Sequence, residues 1–128
     1  MSTILPDDRR YSREHEWVRV EGSTAVIGIT SFAADELGDI VYVELPEIGA
    51  RLSQFGTFGV VESVKAVSDL FAPISGEVIE VNLELRTSPE LLNSDPFGAG
   101  WIAKVSPADP DEARNLLDAA AYAELTAG

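Results

Sequence analysis

Cysteine is absent from the 128-residue sequence, which excludes disulfides, thiolate-bound metals and a cysteine nucleophile. The single histidine, His15, leaves too few imidazoles for a histidine-based metal site. No apolar run approaches the ~18 residues of a membrane-spanning helix. Residues 1–10 also lack the basic start and apolar stretch of a signal peptide. We therefore expect a cytoplasmic protein with no metal site and no membrane contact.

Basic residues are also scarce. Nine Lys and Arg residues stand against 22 Asp and Glu residues, for a net charge of −13. This charge would repel nucleic acid and anionic membranes, and it favours docking against basic surfaces of protein partners. The chain has only two lysines, Lys65 and Lys104. Its hydrophobic content of 45% is typical of a folded globule.

Short apolar runs separated by turn residues fill the chain, and several alternate with the period of two that is typical of strands. They are "EWVRVEG", "TAVIGIT", "DIVYVELPEIG", "GTFGVVESVKAVSDLFAP", "GEVIEVNLEL" and "GWIAKV". About seven short strands predict a small β-sandwich or barrel rather than a βαβ fold. Residues 1–10, which contain four consecutive charges, are expected to be a flexible lead-in to a single domain over residues 11–128.

Three helices are predicted at the margins of these strands. "SFAADELG" has Thr30 or Ser31 as its cap, and a single turn follows Ser88 as the cap of a second helix. The longest helical pattern is "DPDEARNLLDAAAYAEL". It has Asp109 as cap and Glu112 at the capping-box position, which predicts one continuous C-terminal helix.

The string "ESVKAVSD" is nearly a palindrome around Lys65 and Ala66. In two antiparallel strands joined by a two-residue turn, residues equidistant from the turn lie opposite each other. The symmetry therefore predicts three opposed pairs: Val64 with Val67, Ser63 with Ser68, and Glu62 with Asp69. Lys65 would then project from the tip of a hairpin. A lysine in a turn is most often simply solvated, but this turn lacks the Asn-Gly of favoured hairpins, which indicates a requirement beyond turn geometry.

The surroundings of Lys65 resemble those of lipoyl- and biotinyl-carrier domains, in which the modified lysine lies at a hairpin tip and a Pro-x-x-Gly turn follows, here Pro73–Gly76. Biotinyl domains place methionine on both sides of the lysine, whereas this chain has Val64 and Ala66. The string is instead similar to that of the glycine cleavage H-protein family. Further similar blocks, between Tyr11 and Tyr122, are "HEWV", "GIT", "LGDIVYVELPEIG", "APISGEVIEVN", "PELLNSDPFGAGW" and "LLDAAAY".

This resemblance implies a mainly β fold, a barrel–sandwich hybrid of short antiparallel strands with short peripheral helices and a C-terminal helix. It also implies that lipoate is attached through an amide to Lys65 and supplies the redox chemistry that a lysine lacks. The chain would be a carrier and not an enzyme. A lipoate-attaching enzyme would modify it, and it would shuttle the aminomethyl group of glycine from glycine decarboxylase to aminomethyltransferase. Dihydrolipoamide dehydrogenase would then reoxidise it.

The resemblance further implies a cleft for the loaded arm, lined by carboxylates. Glu16 and Asp69 occupy the positions that would hold the ammonium of the aminomethyl group through charge-assisted hydrogen bonds. Glu14 lies two residues before Glu16, so in a strand both side chains would point to one face. With 22 acidic residues in a small protein, each of these carboxylates could equally be a solvated surface group.

Two alternatives to this function stay open on the sequence alone. The chain could relay lipoate to other lipoyl-dependent complexes, or it could be an unmodified acidic β-module that binds protein partners. Lys104 lies in "WIAKV", a predicted strand, and is not expected to be modified. Ser63 and Ser68 have no base at catalytic spacing, so serine catalysis is not expected.

Overall fold

The computed structural model describes residues 5–127, which form two antiparallel sheets. The strands are β1 (Arg10–Tyr11), β2 (Glu16–Glu21), β3 (Thr24–Ile29), β4 (Ile40–Glu44), β5 (Arg51–Leu52), β6 (Thr57–Ser63), β7 (Val67–Phe71), β8 (Gly76–Val81) and β9 (Ala103–Pro107). The helices are α1 (Ser31–Leu37), α2 (Leu91–Ser94) and α3 (Ala119–Thr126), with 3-10 helices at Leu83–Arg86 and Pro110–Asn115. None of the helices within residues 5–127 is long and apolar enough to cross a membrane.

The two sheets pack against each other around a single main core. The larger sheet has the strand order β1-β2-β3-β9-β8-β5, and the smaller has the order β4-β6-β7. Alternate residues of each strand point inward. Ile27, Val78 and Val105 of the larger sheet are buried in one apolar cluster with Val43 and Val61 of the smaller sheet. This arrangement, with its short peripheral helices and C-terminal helix, confirms the predicted fold class.

A second, aromatic cluster joins the C-terminal helix to the outer face of the larger sheet. The rings of Tyr11 and Tyr122 stack with centroids 4.8 Å apart, and Trp17 is fully buried beside them. The indole Nε1 of Trp17 donates to the carbonyl oxygen of Ile29 at 2.9 Å. A Cβ atom on Gly28 would lie 2.6 Å from the Trp17 ring, so only glycine permits this close approach of indole to strand β3.

The folded part of the chain begins before the expected boundary at Tyr11. Arg10 belongs to β1, and Arg9 is buried, with its guanidinium carbon 4.5 Å from the centroid of the Trp17 ring. Arg9 also donates to the carbonyl oxygen of Phe97 at 2.9 Å. Charge density predicted a flexible segment because it does not reveal the aromatic surface that holds the guanidinium. Positions 1–4 of the expected lead-in lie outside the described residues.

The prediction of one continuous C-terminal helix is wrong. The helical pattern breaks at Leu116 and Leu117, and α3 starts after a second cap, Asp118. The break occurs because Leu117 forms a two-way backbone bridge with Tyr11, in which both N–H···O distances are 2.8 Å. Tertiary pairing with the first strand therefore overrides the local helical preference.

The structure confirms one predicted helix cap, Asp109, and corrects the roles predicted for Glu112 and Ser88. Asp109 does cap its helix, by accepting from the amide of Asp111 at 3.0 Å. The carboxylate of Glu112, however, accepts from the amide and hydroxyl of Ser75, both at 2.8 Å, so it ties two segments together instead of closing a capping box. Ser88 is not the cap of α2, since that helix begins after Glu90 without a side-chain cap.

Candidate functional site

Lys65 lies in the connection between β6 and β7, and its side chain is exposed as predicted. The pairing around it differs from the palindromic prediction. The observed partners are Glu62 with Val67, Val61 with Ser68, and Val60 with Asp69. The register is thus displaced by two residues. A displacement of two keeps every side chain on its original face, which is why the pattern of apolar residues did not reveal it.

The turn is held by a serine side chain rather than by a two-residue turn motif. The hydroxyl oxygen of Ser63 accepts from the amides of Ala66 at 3.1 Å and Lys65 at 3.3 Å. The backbone adds a bond from the amide of Ser63 to the carbonyl of Ala66 at 2.8 Å. Val64 is not part of a cross-strand pair, because it sits in the turn with 72% of its surface exposed. The sequence symmetry therefore predicted the hairpin correctly but not its turn.

The hairpin tip rests on the segment that follows helix α1. The amide of Val64 donates to the carbonyl oxygen of Asp39 at 3.0 Å. The aliphatic stem of Lys65 passes over Gly38, where an added Cβ atom would lie 3.4 Å from its Cε. Gly38 has a φ of 80°, which favours glycine, and it ends α1. These contacts direct the lysine stem along the end of α1.

A cleft of about 180 Å³ lies next to the end of α1. It lies between α1, the edge strand β7 and the turn that precedes β2. Its lining residues are Glu14, His15, Ala33, Glu36, Leu37, Ser68, Asp69 and Phe71. Glu14 and Asp69, two of the carboxylates assigned to the site, are therefore brought together. Both are exposed, so a positive group in the cleft has carboxylates on two sides.

Glu16 lies behind this cleft and does not line it. It is only 2% exposed, and its two carboxylate oxygens accept from the hydroxyl of Ser12 at 2.7 Å and the amide of Phe71 at 3.2 Å. Glu16 thereby ties the free edge of β7 to the start of β2. Burial away from water, opposed by these two hydrogen bonds, raises the pKa of Glu16 to about 8. The structure assigns Glu16 to the support of the cleft wall.

The prediction that Glu14 and Glu16 share one face of a strand is also wrong. Glu14 precedes β2 and lies in a turn, and the residue between them, His15, has a φ of 74°. Strand alternation does not apply across such a residue. His15, which the sequence excluded only from a metal site, lines the cleft, and its Nδ1 lies 2.8 Å from the hydroxyl of Tyr122. No local pattern indicates this contact, since the two residues are 107 positions apart.

The second lysine has a different environment. Lys104 belongs to β9, as predicted, and its Nζ lies 3.5 Å from a carboxylate oxygen of Glu80. The same nitrogen lies 5.1 Å from the centroid of the Trp101 ring. Its ammonium is therefore engaged on the larger sheet, whereas Lys65 has no ion pair within residues 5–127. The same part of the chain contains no cluster of metal-ligating side chains.

An exposed lysine on a hairpin tip of a small two-sheet β fold, with an acidic cleft beside it, defines a carrier module of the kind that bears a group on lysine. The model of the family described as glycine cleavage H-protein matches residues 9–127. The chain belongs to this family, which confirms the predicted family and the carrier role in glycine cleavage.

Individual relatives agree along nearly the whole chain. The glycine cleavage system H protein of Symbiobacterium thermophilum is 60% identical over 122 residues, which cover 95% of each chain. That of Myxococcus xanthus is 49% identical over 125 residues, or 98% of this chain and 97% of the relative. The crystal structure of the glycine cleavage system H protein from Mycobacterium marinum superposes with a TM-score of 0.88 at 42% identity, covering 97% of this chain and all of that one.

Proposed function

We propose that the protein carries lipoate as an amide on Lys65 and moves the aminomethyl group of glycine between the enzymes of the glycine cleavage system. The observation that carries this proposal is the course of the Lys65 stem, which passes over Gly38. Gly38 follows Leu37, and Leu37 lines the same cleft as Glu14 and Asp69. Bound lipoate would supply a dithiolane that accepts the cargo and is afterwards reoxidised. The chain itself supplies position, charge and access.

Lys65 fits this attachment for two reasons. Its amine is accessible at a tip that an attaching enzyme could enclose, with Val64 and Ala66 also exposed around it. Its backbone is nevertheless defined, because the Ser63 hydroxyl and the Asp39 carbonyl hold the turn. A flexible side chain on a fixed turn keeps the arm near the cleft at high effective concentration.

Glu14 and Asp69 would retain the cargo. The aminomethyl group is a cation in its protonated form, and two carboxylates facing one small cleft attract it and accept its hydrogen bonds. Glu16 would contribute no direct contact, since Ser12 and Phe71 occupy its oxygens. Its pKa of about 8 also leaves it mostly uncharged at neutral pH. Of the three carboxylates, only Glu14 and Asp69 are therefore proposed to contact the aminomethyl group.

Partner docking would use the outer face of the smaller sheet, beside the lysine. Tyr42, Glu62 and Val67 form one row across β4, β6 and β7, and Tyr42 and Val67 are 50% and 67% exposed. Glu44 and Asp69 flank the next row. Apolar side chains interspersed with carboxylates suit partners that present apolar and basic groups. The proposed partners are glycine decarboxylase, aminomethyltransferase, dihydrolipoamide dehydrogenase and the lipoate-attaching enzyme.

The attachment is tested by lipoylation of the purified chain followed by intact-mass measurement and peptide mapping. We expect one lipoyl increment, located on the peptide that contains Lys65. Lys65→Arg keeps the positive charge but offers no acylable amine, so it should take up no lipoate and support no glycine decarboxylation in a reconstituted system. Its free energy of unfolding should stay within about 1 kcal/mol of the wild-type value.

Lys104→Arg is the matched control for this experiment. It makes the same chemical change at the other lysine and should be modified and active like the wild type. A lipoyl increment on Lys104, or wild-type activity of Lys65→Arg, would contradict the proposal. An unmodified Lys65 in protein isolated from its own cells would favour a binding module without a cofactor.

A further inference from the structure

His15 is held at the cleft by contacts from three directions. Its amide donates to the carbonyl of Ser12 at 3.1 Å, and its carbonyl accepts from the amide of Thr30 at 3.0 Å. These bonds pin its backbone at a φ that non-glycine residues rarely adopt. The ring packs against that of Phe32 with centroids 4.6 Å apart. A strained backbone that is fixed on both sides points to a positional requirement for this imidazole.

The Nδ1 atom of His15 belongs to a buried chain of hydrogen bonds. It lies 2.8 Å from the hydroxyl of Tyr122, which lies 2.8 Å from the hydroxyl of Thr30. Thr30 and Tyr122 are both fully buried. The Thr30 oxygen already accepts from the amide of Ala33 at 3.2 Å as the cap of α1. The direction of the chain follows from where each hydroxyl proton can go.

Thr30 makes no other side-chain hydrogen bond within the described residues, so its proton has only Tyr122 as an acceptor. If Thr30 donates to the Tyr122 oxygen, Tyr122 donates in turn to Nδ1 of His15, and both hydroxyl protons then have an acceptor. In the reverse direction, His15 would donate to Tyr122 and Tyr122 to Thr30, which leaves the buried Thr30 proton without an acceptor. An unsatisfied buried donor is costly, so the first direction is favoured.

We propose that Thr30 and Tyr122 fix His15 as a neutral imidazole with its proton on Nε2, and that this neutrality lets a histidine line a cleft for a cationic cargo. Tyr122 is thus a positioning residue that acts through His15. An imidazolium would need to donate a hydrogen bond from Nδ1. This would reverse the direction of the hydrogen bonds and leave the Thr30 hydroxyl proton without an acceptor. It would also place a positive charge beside the cargo. The second half of this inference rests on the proposed carrier function.

The charged groups around His15 show why hydrogen bonds that keep the ring neutral are needed. Glu14 from the preceding turn, Glu36 from α1 and Asp69 from β7 line the same cleft, and Glu14 and Glu36 favour the protonated ring. The other titratable neighbours are Glu16, the next residue in the chain, and Tyr122 from α3. Burial opposes the charged ring and lowers the pKa of His15 overall. Burial and the hydrogen-bond chain therefore act together against three nearby carboxylates.

The first test uses unlipoylated protein and is independent of the carrier function. His15 is the only histidine, so its ring gives a single set of NMR signals. The ¹⁵N shifts should show Nδ1 unprotonated and Nε2 protonated at neutral pH. Tyr122→Phe keeps the stacked ring but removes the hydroxyl, and it should raise the pKa of His15 by about one unit. Tyr42→Phe removes an exposed hydroxyl and should leave the titration unchanged.

The second test addresses the cargo. Lipoylated protein loaded with the aminomethyl group and separated from the partner enzymes should lose ammonia at a rate that is flat from pH 7 to pH 6, an interval in which Glu16 stays mostly uncharged. In Tyr122→Phe the loss should become about fivefold faster as the pH falls through this interval, because the ring becomes charged. A wild-type His15 ring protonated on Nδ1 would contradict the proposal that Thr30 and Tyr122 fix the neutral tautomer. This measurement needs only the wild-type protein, so it does not depend on the folding of Tyr122→Phe. The expected tautomer with identical loss rates in both proteins would overturn its role in cargo retention.

Discussion

The hairpin tip and the wall behind the cleft are built in opposite ways. At the tip, the side chains of Val64, Lys65 and Ala66 are exposed, and the hydroxyl of Ser63 and backbone bonds hold the turn. In the wall, Glu16 is buried and both of its oxygens accept hydrogen bonds. The tip therefore fixes a backbone and leaves its side chains free, whereas the wall fixes the side chains themselves.

Because of this difference, substitutions at the tip and in the wall should affect different properties of the protein, its carrier function and its folding stability. A group that must visit several enzymes has to sit on a side chain with few contacts, so substitutions at the tip should change function with little effect on folding. Glu16, behind the cleft, is buried, and burial makes its protonation part of the folding equilibrium. Substitutions there should change stability and its dependence on pH.

The largest effect is expected from pH acting on Glu16. Its pKa is about 8 in the folded protein and 4.5 in its ordinary environment. Between these values the folded state binds a proton that the unfolded state has released. The free energy of unfolding should therefore fall as the pH rises, by up to about 1.4 kcal/mol per pH unit. Denaturant unfolding from pH 5 to pH 8 measures this slope.

Glu16→Gln removes the titrating group and should flatten the slope over this interval. Its absolute stability is not the diagnostic quantity, because an amide that replaces the carboxyl also alters the bonds to Ser12 and Phe71. Glu44→Gln is the control, since it neutralises an exposed carboxylate. Equal slopes in the wild type and Glu16→Gln would show that Glu16 is ionised in the folded protein without penalty.

The burial of Glu16 marks the boundary of what the sequence predicts. Alternating apolar residues predicted the strands, because one face of each sheet must be buried. Thr30 was recognisable as the cap of α1 because capping is a local interaction. Lys65 was recognisable because the motifs around it are specific to the family. These features depend on residues that are close together in the chain.

The features that the sequence did not predict depend on distant contacts. Glu16 accepts from Phe71, 55 positions away, and His15 meets Tyr122 across 107 positions. The break before α3 requires Leu117 to pair with Tyr11. The hairpin register is the exception, because it is a local feature. There the symmetry of "ESVKAVSD" concealed the role of the Ser63 hydroxyl in shaping the turn.

A second, smaller effect is expected from the exposed carboxylates of the cleft. Asp69→Asn should speed the spontaneous loss of ammonia from aminomethyl-loaded protein by about tenfold, since a charge-assisted bond to the cargo is weakened. Glu14→Gln should act in the same direction. Asp69 lies opposite Val60 rather than Glu62, so no cross-strand repulsion is relieved, and the melting temperature should stay near that of the wild type because Asp69 is exposed.

The control for this prediction is again Glu44→Gln, which removes a carboxylate from the outer face of the smaller sheet and should not change ammonia loss. Because Asp69 and Glu14 line one cleft, the double variant should depart from additivity if both contact the same ammonium. Wild-type rates of ammonia loss in both single variants would mean that other residues hold the aminomethyl group. A large effect of Glu16→Gln alone would mean that Glu16 itself contacts this group.

The smallest effect is expected from the serine that shapes the tip. Ser63→Ala removes the acceptor for two turn amides and should lower the free energy of unfolding by about 1 kcal/mol, measured as a denaturant midpoint at constant slope. Ser68→Ala is the matched control, because the Ser68 hydroxyl donates only weakly, at 3.4 Å, to the carbonyl of Asp69. Its cost should be within about 0.5 kcal/mol. If the turn positions Lys65 for its attaching enzyme, Ser63→Ala should also slow lipoylation while Ser68→Ala does not. Equal lipoylation rates would mean that the enzyme recognises the lysine without the shape of its turn.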